Sequence, residues 1–119
     1  MKRYFLLSVA CLFALQSYSQ SFQTLTSGNK ASFRGLETYK NKVVWVSGSN
    51  GTVGKSMDSG KTWEWVSPKG YEKFDFRDIE VFSAKEAVIV SAGAPAVILY
   101  TKDGGKTWSA AEKLPNGYI

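Results

Sequence analysis

The stretch GSNGTVGKSMDSGKTW, from Gly48 to Trp63, decides the fold because it contains two overlapping motifs with opposite meanings. Up to Ser56 it looks like a glycine-rich loop that would hold a phosphate. From Ser56 onward it has the pattern Ser-x-Asp-x-Gly-x-Thr-Trp, which is typical of a tight turn between two β-strands. The first interpretation predicts a nucleotide-binding enzyme, and the second predicts a structural turn.

The phosphate-loop interpretation fails on spacing and on context. The motif G-x-x-x-x-G-K-[ST] needs glycine at position 49, where Ser49 stands. Phosphate loops also lead into a helix, whose N-terminus faces the phosphate, whereas the residues after Ser56 have the pattern of a turn and then a strand. A dinucleotide site fails for the same reasons, because the glycine spacing is wrong and no helix follows.

The second interpretation is supported by an internal repeat of about 45 residues. FRGLETYKNK (33–42) aligns with FRDIEVFSAK (76–85), and VVWVSG (43–48) aligns with VIVSAG (88–93). SMDSGKTW (56–63) then aligns with TKDGGKTW (101–108). The glycine and lysine of the would-be phosphate loop are Leu99 and Tyr100 in the second copy, so only the turn motif is repeated.

Each copy predicts four short strands, rich in β-branched and aromatic residues and separated by turn sequences. The predicted strands are 33–39, 43–47, 52–56 and 62–66 in the first copy, and 76–82, 87–91, 96–100 and 107–110 in the second. Four strands in a repeat of this length are the signature of a β-propeller blade. We therefore predict an all-β fold with two four-stranded blades, about 31–67 and 74–111, joined by a linker that contains Pro68 and Gly70.

Two blades cannot close a propeller ring, which takes about four to eight. We therefore interpret the chain as the N-terminal part of a larger propeller. LPNGYI (114–119) would lead into a third blade, and SFQTLTSG (21–28) could be the strand that completes the last blade of the ring. An incomplete ring leaves strand edges and blade faces exposed, so we expect the chain to fold poorly or to self-associate.

The repeated turn motif, called an Asp-box, has a structural explanation at every position. The aspartate accepts hydrogen bonds from backbone N–H groups across the turn, and the glycine adopts a positive φ. The hydroxyl residues tie the flanking strands, and the tryptophan packs on a neighbouring strand. Calcium binding is the alternative, but one carboxylate a turn is far from the six to eight oxygens that this ion takes. The predicted structural residues are Ser56, Asp58, Gly60, Thr62 and Trp63, and Thr101, Asp103, Gly105, Thr107 and Trp108.

Residues 1–19 have the pattern of a signal peptide, with Lys2 and Arg3 followed by an apolar run and with Ser17 and Ser19 before a cut at Gln20. The run of about twelve apolar residues is shorter than the roughly 20 that a membrane-spanning helix needs. Cys11 lacks the preceding residues of a lipoprotein signal, so lipid anchoring is not expected. We predict a mature chain of residues 20–119 that is secreted or periplasmic.

The mature chain contains neither cysteine nor histidine, because Cys11 is the only cysteine and the sequence has no histidine. This excludes disulfides, thiol nucleophiles and the usual zinc ligands, and we predict no cofactor and no metal site. Removing Lys2 and Arg3 lowers the formal charge from +5 to +3, and the remaining charges are interspersed. Such a surface does not indicate nucleic-acid binding.

The Asp-boxes resemble those of the sialidase-type BNR repeats. SFRGL…VVWVSGSNGTV…SMDSGKTW, followed by DFRDIEVF…SAG…TKDGGKTW, is more specifically similar to the Asp-box propellers related to photosystem II assembly and stability factors. The resemblance covers nearly the whole mature chain. It implies a β-propeller whose role is protein binding during assembly. Because these residues contain no recognisable catalytic constellation, we predict a non-catalytic module.

The arginine-rich surface of that family has a candidate counterpart in Arg34 and Arg77. They are the two arginines of the mature chain, beside eleven lysines, and they stand at equivalent positions of the two copies. A planar guanidinium grips a carboxylate or a phosphate in a way that lysine does not. The alternative is a role within the blade, through an ion pair with Glu37, Asp78 or Glu80 or through stacking on an aromatic ring.

A sialidase-like glycoside hydrolase is the alternative function. Its site would need several arginines, a Tyr–Glu pair and an acidic aspartate, whereas Tyr39, Glu64, Glu72 and Asp75 are isolated in the sequence.

A surface carbohydrate is a further candidate ligand, because exposed aromatic rings stack on sugars. Trp45, Trp65 and Tyr71 are the residues considered. Trp45 lies in an apolar strand and is predicted to be core, whereas Trp65 alternates with Trp63 and is expected to be exposed.

Overall fold

The computed structural model describes residues 19–25 and 28–114. Within them the chain forms eight β-strands in two four-stranded antiparallel sheets and no helix. The predicted signal peptide lies outside the described residues except for Ser19, and so do residues 115–119 of the predicted lead-in to a third blade. No helix among the described residues has the length and apolarity that crossing a bilayer requires.

Each copy of the repeat forms one sheet, with its strands paired in chain order. The first sheet, blade 1, contains β1 (Phe33–Tyr39), β2 (Val43–Gly48), β3 (Val53–Ser56) and β4 (Glu64–Trp65). The second, blade 2, contains β5 (Asp75–Val81), β6 (Ala87–Ala92), β7 (Ala96–Thr101) and β8 (Ser109–Leu114). The predicted fold class, two four-stranded propeller blades, is confirmed.

The first two hairpins of blade 1 each turn through two consecutive residues with positive φ. Lys40 and Asn41 have φ values of 51° and 54°, and Asn50 and Gly51 have values of 57° and 64°. Turns of this kind match the right-handed twist of the strands that they join. They fix the register of β1 with β2 and of β2 with β3, and so decide which side chains face the other blade.

The outermost strand of each blade differs from its prediction. The structure has β4 at 64–65 and β8 at 109–114, where the sequence predicts 62–66 and 107–110. Both strands begin two residues late because the backbone N–H groups of Thr62 and Thr107 donate to the Asp-box carboxylates. The hydroxyl-Trp pair of each motif therefore belongs to the turn and not to the strand.

The two blades pack face to face around one apolar core. Alternate residues of β2 and β3, led by the fully buried Trp45, face the first strands of blade 2. Phe76, Ile79 and Ile89 cover them from the other side, all with 2% exposure or less. Gly35 permits the close approach of β1 and β5, because a Cβ there would lie 3.0 Å from the Ile79 nitrogen.

Polar contacts fix the two sheets relative to each other. Lys55 Nζ donates to the carbonyl of Gly104 at 2.8 Å and lies 5.3 Å from the centre of the Trp45 ring. The Trp108 indole packs edge-on against Trp45, and its Nε1 donates to the Val66 carbonyl at 2.8 Å. The Asp-box of blade 2 therefore adds polar contacts to the apolar core that holds blade 2 on blade 1.

Candidate functional site

The Asp-box of blade 1 is a closed hydrogen-bonded turn. Asp58 Oδ1 accepts from Ser56 Oγ and from the backbone nitrogen of Thr62, both at 2.8 Å, and Oδ2 accepts from Thr62 Oγ1 at 2.6 Å. Ser56 Oγ in turn accepts from the Gly60 nitrogen at 2.8 Å. Gly60 has a φ of 87°, so the chain reverses where glycine allows it.

Blade 2 repeats this network residue for residue. Asp103 Oδ1 accepts from Thr101 Oγ1 and from the Thr107 nitrogen at 2.9 Å, Oδ2 accepts from Thr107 Oγ1 at 2.5 Å, and the Gly105 nitrogen donates to Thr101 Oγ1 at 2.9 Å. The side-chain and backbone hydrogen bonds from the Thr residue of each turn lower the pKa of Asp58 and of Asp103 to about 2. Both carboxylates are therefore ionised acceptors, which suits a structural turn and not proton transfer at neutral pH.

Both oxygens of each Asp-box carboxylate are thus engaged by the turn itself. Within the described residues, no group of three or more acidic, histidine or cysteine side chains is arranged to hold a metal ion. The Asp-box carboxylates therefore form hydrogen bonds within their own turns, and the contacts of the Asp-boxes are structural.

The two Asp-box tryptophans differ in their surroundings. Trp108 lies between the blades, in contact with Trp45 and Val66 of blade 1. Trp63 lies on the face of blade 1 that points away from blade 2. Trp63 stacks on Trp65 with ring centres 6.2 Å apart, and its Nε1 donates to the carbonyls of Gly60 and Leu25. Trp65 also stacks on Phe33, with ring centres 6.1 Å apart.

Arg34 and Arg77 occupy one structural position in the two blades, and this position is a β-bulge. In blade 1 the pairing passes from Phe33 to Gly35, and in blade 2 it passes from Phe76 to Asp78, so each arginine is the extra residue of its strand. Bulges redirect side chains and are frequent at functional sites. The two strands lie side by side in the fold, which brings equivalent arginines from consecutive blades to one surface.

Asp75 lies between the two arginines. Arg77 Nε is 2.9 Å from Asp75 Oδ2, and Arg34 Nε is 3.7 Å from Oδ1. Among the described residues, Asp75 is the sole acidic side chain within ion-pair distance of either arginine. Asp75 is therefore the acidic partner of both arginines, and the predicted partners Glu37, Asp78 and Glu80 are not. Its ion pair with Arg34 connects the two blades.

The bridge leaves the cluster of Arg34, Arg77 and Asp75 with a formal charge of +1, from two guanidinium groups and one carboxylate. The arginine side chains remain 43% and 53% exposed, and Asp75 is 30% exposed. Two exposed guanidinium groups that share one carboxylate can orient each other and still receive a second anion from solvent. A carboxylate of another molecule is the ligand that this arrangement fits.

Sequence reasoning missed Asp75 as a member of the cluster. It precedes Phe76, and the equivalent residue of the first copy is Ser32, so the acid is present in one copy alone. That difference between two otherwise matching segments is the signal that could have found it. Its pairing with Arg34 required knowledge of which strands meet across the blades.

The isolated polar residues of the glycosidase alternative have separate structural contacts. Glu64 lies 3.8 Å from Lys55, Glu72 accepts from the Gly70 nitrogen, and Tyr39 packs against the core between the blades. Asp75 belongs to the arginine cluster. The structure therefore does not assemble these four residues into one site.

The aromatic residues considered for carbohydrate binding also differ from one another. Trp45 is completely buried, as predicted for a core residue, and Tyr71 packs on Phe74 and on the core. Trp65 is 41% exposed, as expected, and it stacks on Phe33 and Trp63.

Comparison with known proteins agrees with this geometry. The family model described as Photosynthesis system II assembly factor YCF48 matches residues 16–117. A solved structure described as YCF48 bound to D1 peptide is 26% identical, with a TM-score of 0.58 over 69% of this chain and 26% of its own length. YCF48 from Cyanidioschyzon merolae is 25% identical, with a TM-score of 0.59 over 74% of this chain and 29% of its own. The chain thus spans less than a third of either structure, and no curated protein matches it significantly.

Proposed function

The chain belongs to the photosystem II assembly factor YCF48 family, and we propose that it is a non-catalytic propeller module that binds a peptide segment of another protein. A relative of known structure is described as bound to a D1 peptide, which supports a protein partner. The partner that fits Arg34 and Arg77 is a peptide segment that presents carboxylates.

The observation that carries the proposal is the pair of exposed bulge arginines at one position of consecutive blades. A peptide carboxylate approaching Arg34 and Arg77 meets two planar donors, of which Arg77 is held close to Asp75, with its Nε 2.9 Å from Oδ2, and Arg34 lies 3.7 Å from the same carboxylate. Pre-orientation of this kind reduces the entropy that binding costs. Arginine should bind the carboxylate more tightly than lysine would at the same positions, because lysine cannot present two parallel N–H groups.

The test is a titration of a fluorescently labelled D1 peptide, followed by anisotropy, with the unaltered chain and with the double variant Arg34→Lys/Arg77→Lys. The double variant keeps the charge of the chain and removes the planar donors. We expect it to bind at least about tenfold more weakly, as the loss of a charge-assisted bidentate contact would cause.

The matched control is Lys69→Ala/Lys106→Ala, which removes two positive charges from exposed positions outside the cluster. We expect its affinity to stay within about twofold of that of the unaltered chain at 0.15 M salt, where charges about 8 Å or more from the ligand are largely screened. An affinity that falls in Lys69→Ala/Lys106→Ala and stays unchanged in Arg34→Lys/Arg77→Lys would show that only net charge matters and would contradict the proposed site. Absence of any binding would contradict the proposed partner class.

We also propose that the chain is exported and acts outside the cytoplasm. The support is the sequence of residues 1–19, with its basic start, its apolar run and its small residues before Gln20. The intact mass of the protein from a bacterial host should equal that of residues 20–119 and should be found in the periplasmic or culture fraction. Leu12→Arg, which interrupts the apolar run, should leave a full-length cytoplasmic protein, and a full-length periplasmic protein would contradict cleavage.

A further inference from the structure

Four turns lie at the same end of the strands and form one surface, here called the Asp-box end. They are the turns 40–42, 57–61, 82–86 and 102–106. In blade 1 the Ser59 nitrogen donates to the Lys42 carbonyl at 2.7 Å, and in blade 2 the Gly104 nitrogen donates to the Lys85 carbonyl at 2.9 Å. The bond from Lys55 Nζ to the Gly104 carbonyl joins the blades at this end. The Asp-box end is therefore a surface that both blades build.

The Asp-box end carries the net charge of the chain. Its four turns contain six lysines and three acidic residues, so its formal charge is +3. The predicted mature chain has the same formal charge, +3, so the rest of that chain is neutral overall. The six lysines are Lys40, Lys42, Lys61, Lys85, Lys102 and Lys106. Charges that are interspersed along the sequence are thus gathered by the fold at one end.

The repeat explains why the lysines gather there. Lys42 of the first copy aligns with Lys85 of the second, and Lys61 aligns with Lys106. Because equivalent turns of the two blades lie at the same end of the strands, each copy adds its lysines to one surface.

These lysines are available to a partner. All six are exposed, and within the described residues none of them has a carboxylate at ion-pair distance. The arginines Arg34 and Arg77 lie at the opposite ends of the strands and share the carboxylate of Asp75. The two surfaces are therefore separate in position and in chemistry.

A cleft of about 310 Å³ runs between the blades at the Asp-box end. Lys55 and Met57 line it from blade 1, and Lys85, Lys102 and Lys106 line it from blade 2. The Met57 side chain is 45% exposed, so an apolar group lies in the open among the ammonium groups. Cationic groups beside exposed apolar ones are typical of surfaces that rest on lipid headgroups.

From the charge and the exposure of these turns we propose that the Asp-box end docks on the surface of an anionic lipid bilayer. The lysines lie against the headgroups, and Met57 enters the headgroup layer between them. This contact leaves the arginine cluster at the opposite strand ends free. It does not depend on the peptide proposed as the ligand of that cluster.

The type of cation favours lipid over an acidic protein or a nucleic acid. Both arginines of the mature chain lie elsewhere, so the Asp-box end presents ammonium groups alone. An ammonium group is a point charge on a flexible stem and does not grip one fixed anion as a planar fork does. Lipid headgroups move laterally and collect under such charges. Each lysine close to an anionic bilayer strengthens binding about fivefold.

The test uses an environment-sensitive dye on Met57→Cys in a Cys11→Ser background, so that the chain has a single thiol. The vesicles contain equal parts of phosphatidylserine and phosphatidylcholine, or phosphatidylcholine alone. Because the dye brightens only where it enters a bilayer, it reports contact of the Asp-box end whatever residues 1–19 do. We expect brightening with the anionic vesicles and none with phosphatidylcholine. The same dye on Ser32→Cys, at the opposite strand ends, should stay dim.

A pair of matched variants of the Met57→Cys chain tests the lysines. Lys85→Ala/Lys102→Ala should raise the lipid concentration at half-maximal brightening at least about tenfold, as the loss of two lysines from the contact would cause. Lys30→Ala/Lys73→Ala removes the same charge from exposed positions at the opposite strand ends. It should change that concentration by less than about threefold at 0.15 M salt, where charges about 8 Å or more away are largely screened.

Four outcomes would overturn the inference. Equal brightening with both kinds of vesicle would show that charge does not drive the contact, and equal losses in the two double variants would show that only net charge matters. A dye on Ser32→Cys that brightens as strongly as one on Met57→Cys would remove the orientation. Tighter binding to polyglutamate or to a DNA duplex than to anionic vesicles, at equal concentration of anionic groups, would make an acidic polymer the partner.

Discussion

Two aspartates, Asp58 and Asp103, show how single side chains shape this chain. Each carboxylate accepts hydrogen bonds from a hydroxyl on one side of its turn and from a threonine on the other. Because these donors favour the ionised form, the pKa of each aspartate falls from 3.8 to about 2. The same bonds that close the turn therefore couple folding to pH.

We predict that acid weakens these turns between about pH 4 and pH 2. A folded-state pKa below the unfolded value stabilises the folded chain above the unfolded pKa, and this contribution is lost as the pH falls through the folded one. Thr62→Val removes the largest cause of the lowered Asp58 pKa. It should lower the Tm by several degrees at pH 7, and the difference from the unaltered chain should shrink toward pH 2.

Circular-dichroism melts of the unaltered chain, of Thr62→Val and of Thr38→Val from pH 7 to pH 2 would measure this effect. Thr38→Val is the control, because it makes the same chemical change at an exposed strand position outside either Asp-box. Its effect on Tm should not vary with pH. A Thr62→Val difference that stays constant down to pH 2 would refute the coupling.

Glycine is needed in the turns of this chain for two reasons, its backbone conformation and its close packing against neighbouring residues. Gly105 and Gly70 both have a φ of 87°, so alanine is equally strained in the backbone at both positions. A Cβ at Gly70 meets no atom within 4 Å, whereas one at Gly105 would meet Val66 Cβ at 2.6 Å. Alanine variants at these two positions therefore distinguish the effect of backbone strain, present in both, from the effect of the contact between blades, present at Gly105 alone.

We predict that Gly70→Ala lowers the free energy of unfolding by about 1 kcal/mol, through backbone strain alone. Gly105→Ala should lower it by about 2 to 4 kcal/mol, because overpacking of the contact with Val66 adds to the same strain. Urea unfolding of both variants measures the difference. Equal losses would show that the Asp-box of blade 2 does not hold the two blades together.

Most of the strands could be predicted from the sequence, and the outermost ones show why the rest could not. The first strand of blade 1 was predicted at its observed bounds, 33–39, because turn residues end it sharply. The ends of β4 and β8 depend on where the Asp-box carboxylates take backbone N–H groups away from the ladder. Whether these N–H groups donate to a carboxylate or to a neighbouring strand depends on the three-dimensional shape of the turn. Composition and periodicity do not describe that shape.

The pair of blades as a unit exposes apolar surface on both sides. Besides the face of blade 1 that carries the exposed Phe33 and Leu36, blade 2 has an outward face with Val88, Val90, Ile98 and Tyr100, all half-buried. Their equivalents in blade 1, among them Val43, Trp45 and Val53, are core residues. Exposed apolar faces and strand edges promote association between chains.

We predict that the chain self-associates through this outward face of blade 2. Its average mass by light scattering should rise with concentration, and Val90→Lys should return it to the monomer mass, because a buried charge opposes contact between such faces. Thr24→Lys, which adds the same charge at an exposed residue of the N-terminal stretch, is the control. A mass that stays monomeric for the unaltered chain at all concentrations would contradict the prediction.

The sequence predicts the arginines of the candidate binding cluster but not the geometry of the cluster. Arg34 and Arg77 stand out because they fall on equivalent positions of the repeat and because other cations of the mature chain are lysines. The bulges that project them and the carboxylate of Asp75 that joins them depend on strand register and on packing between blades. A single sequence does not display either.

Recognition of carboxylates by Arg34 and Arg77 is the central proposal for this chain. The most direct test compares the affinity of the chain for the labelled D1 peptide with its affinity for the same peptide after every carboxylate has been replaced by an amide. Recognition by guanidinium groups predicts binding at least about tenfold weaker for the amide form. It also predicts that Arg34→Lys/Arg77→Lys, which keeps the charge and loses the planar donors, shows a smaller difference in affinity between the two forms than the unaltered chain does. An unaltered chain that binds the two peptides equally well would contradict the account.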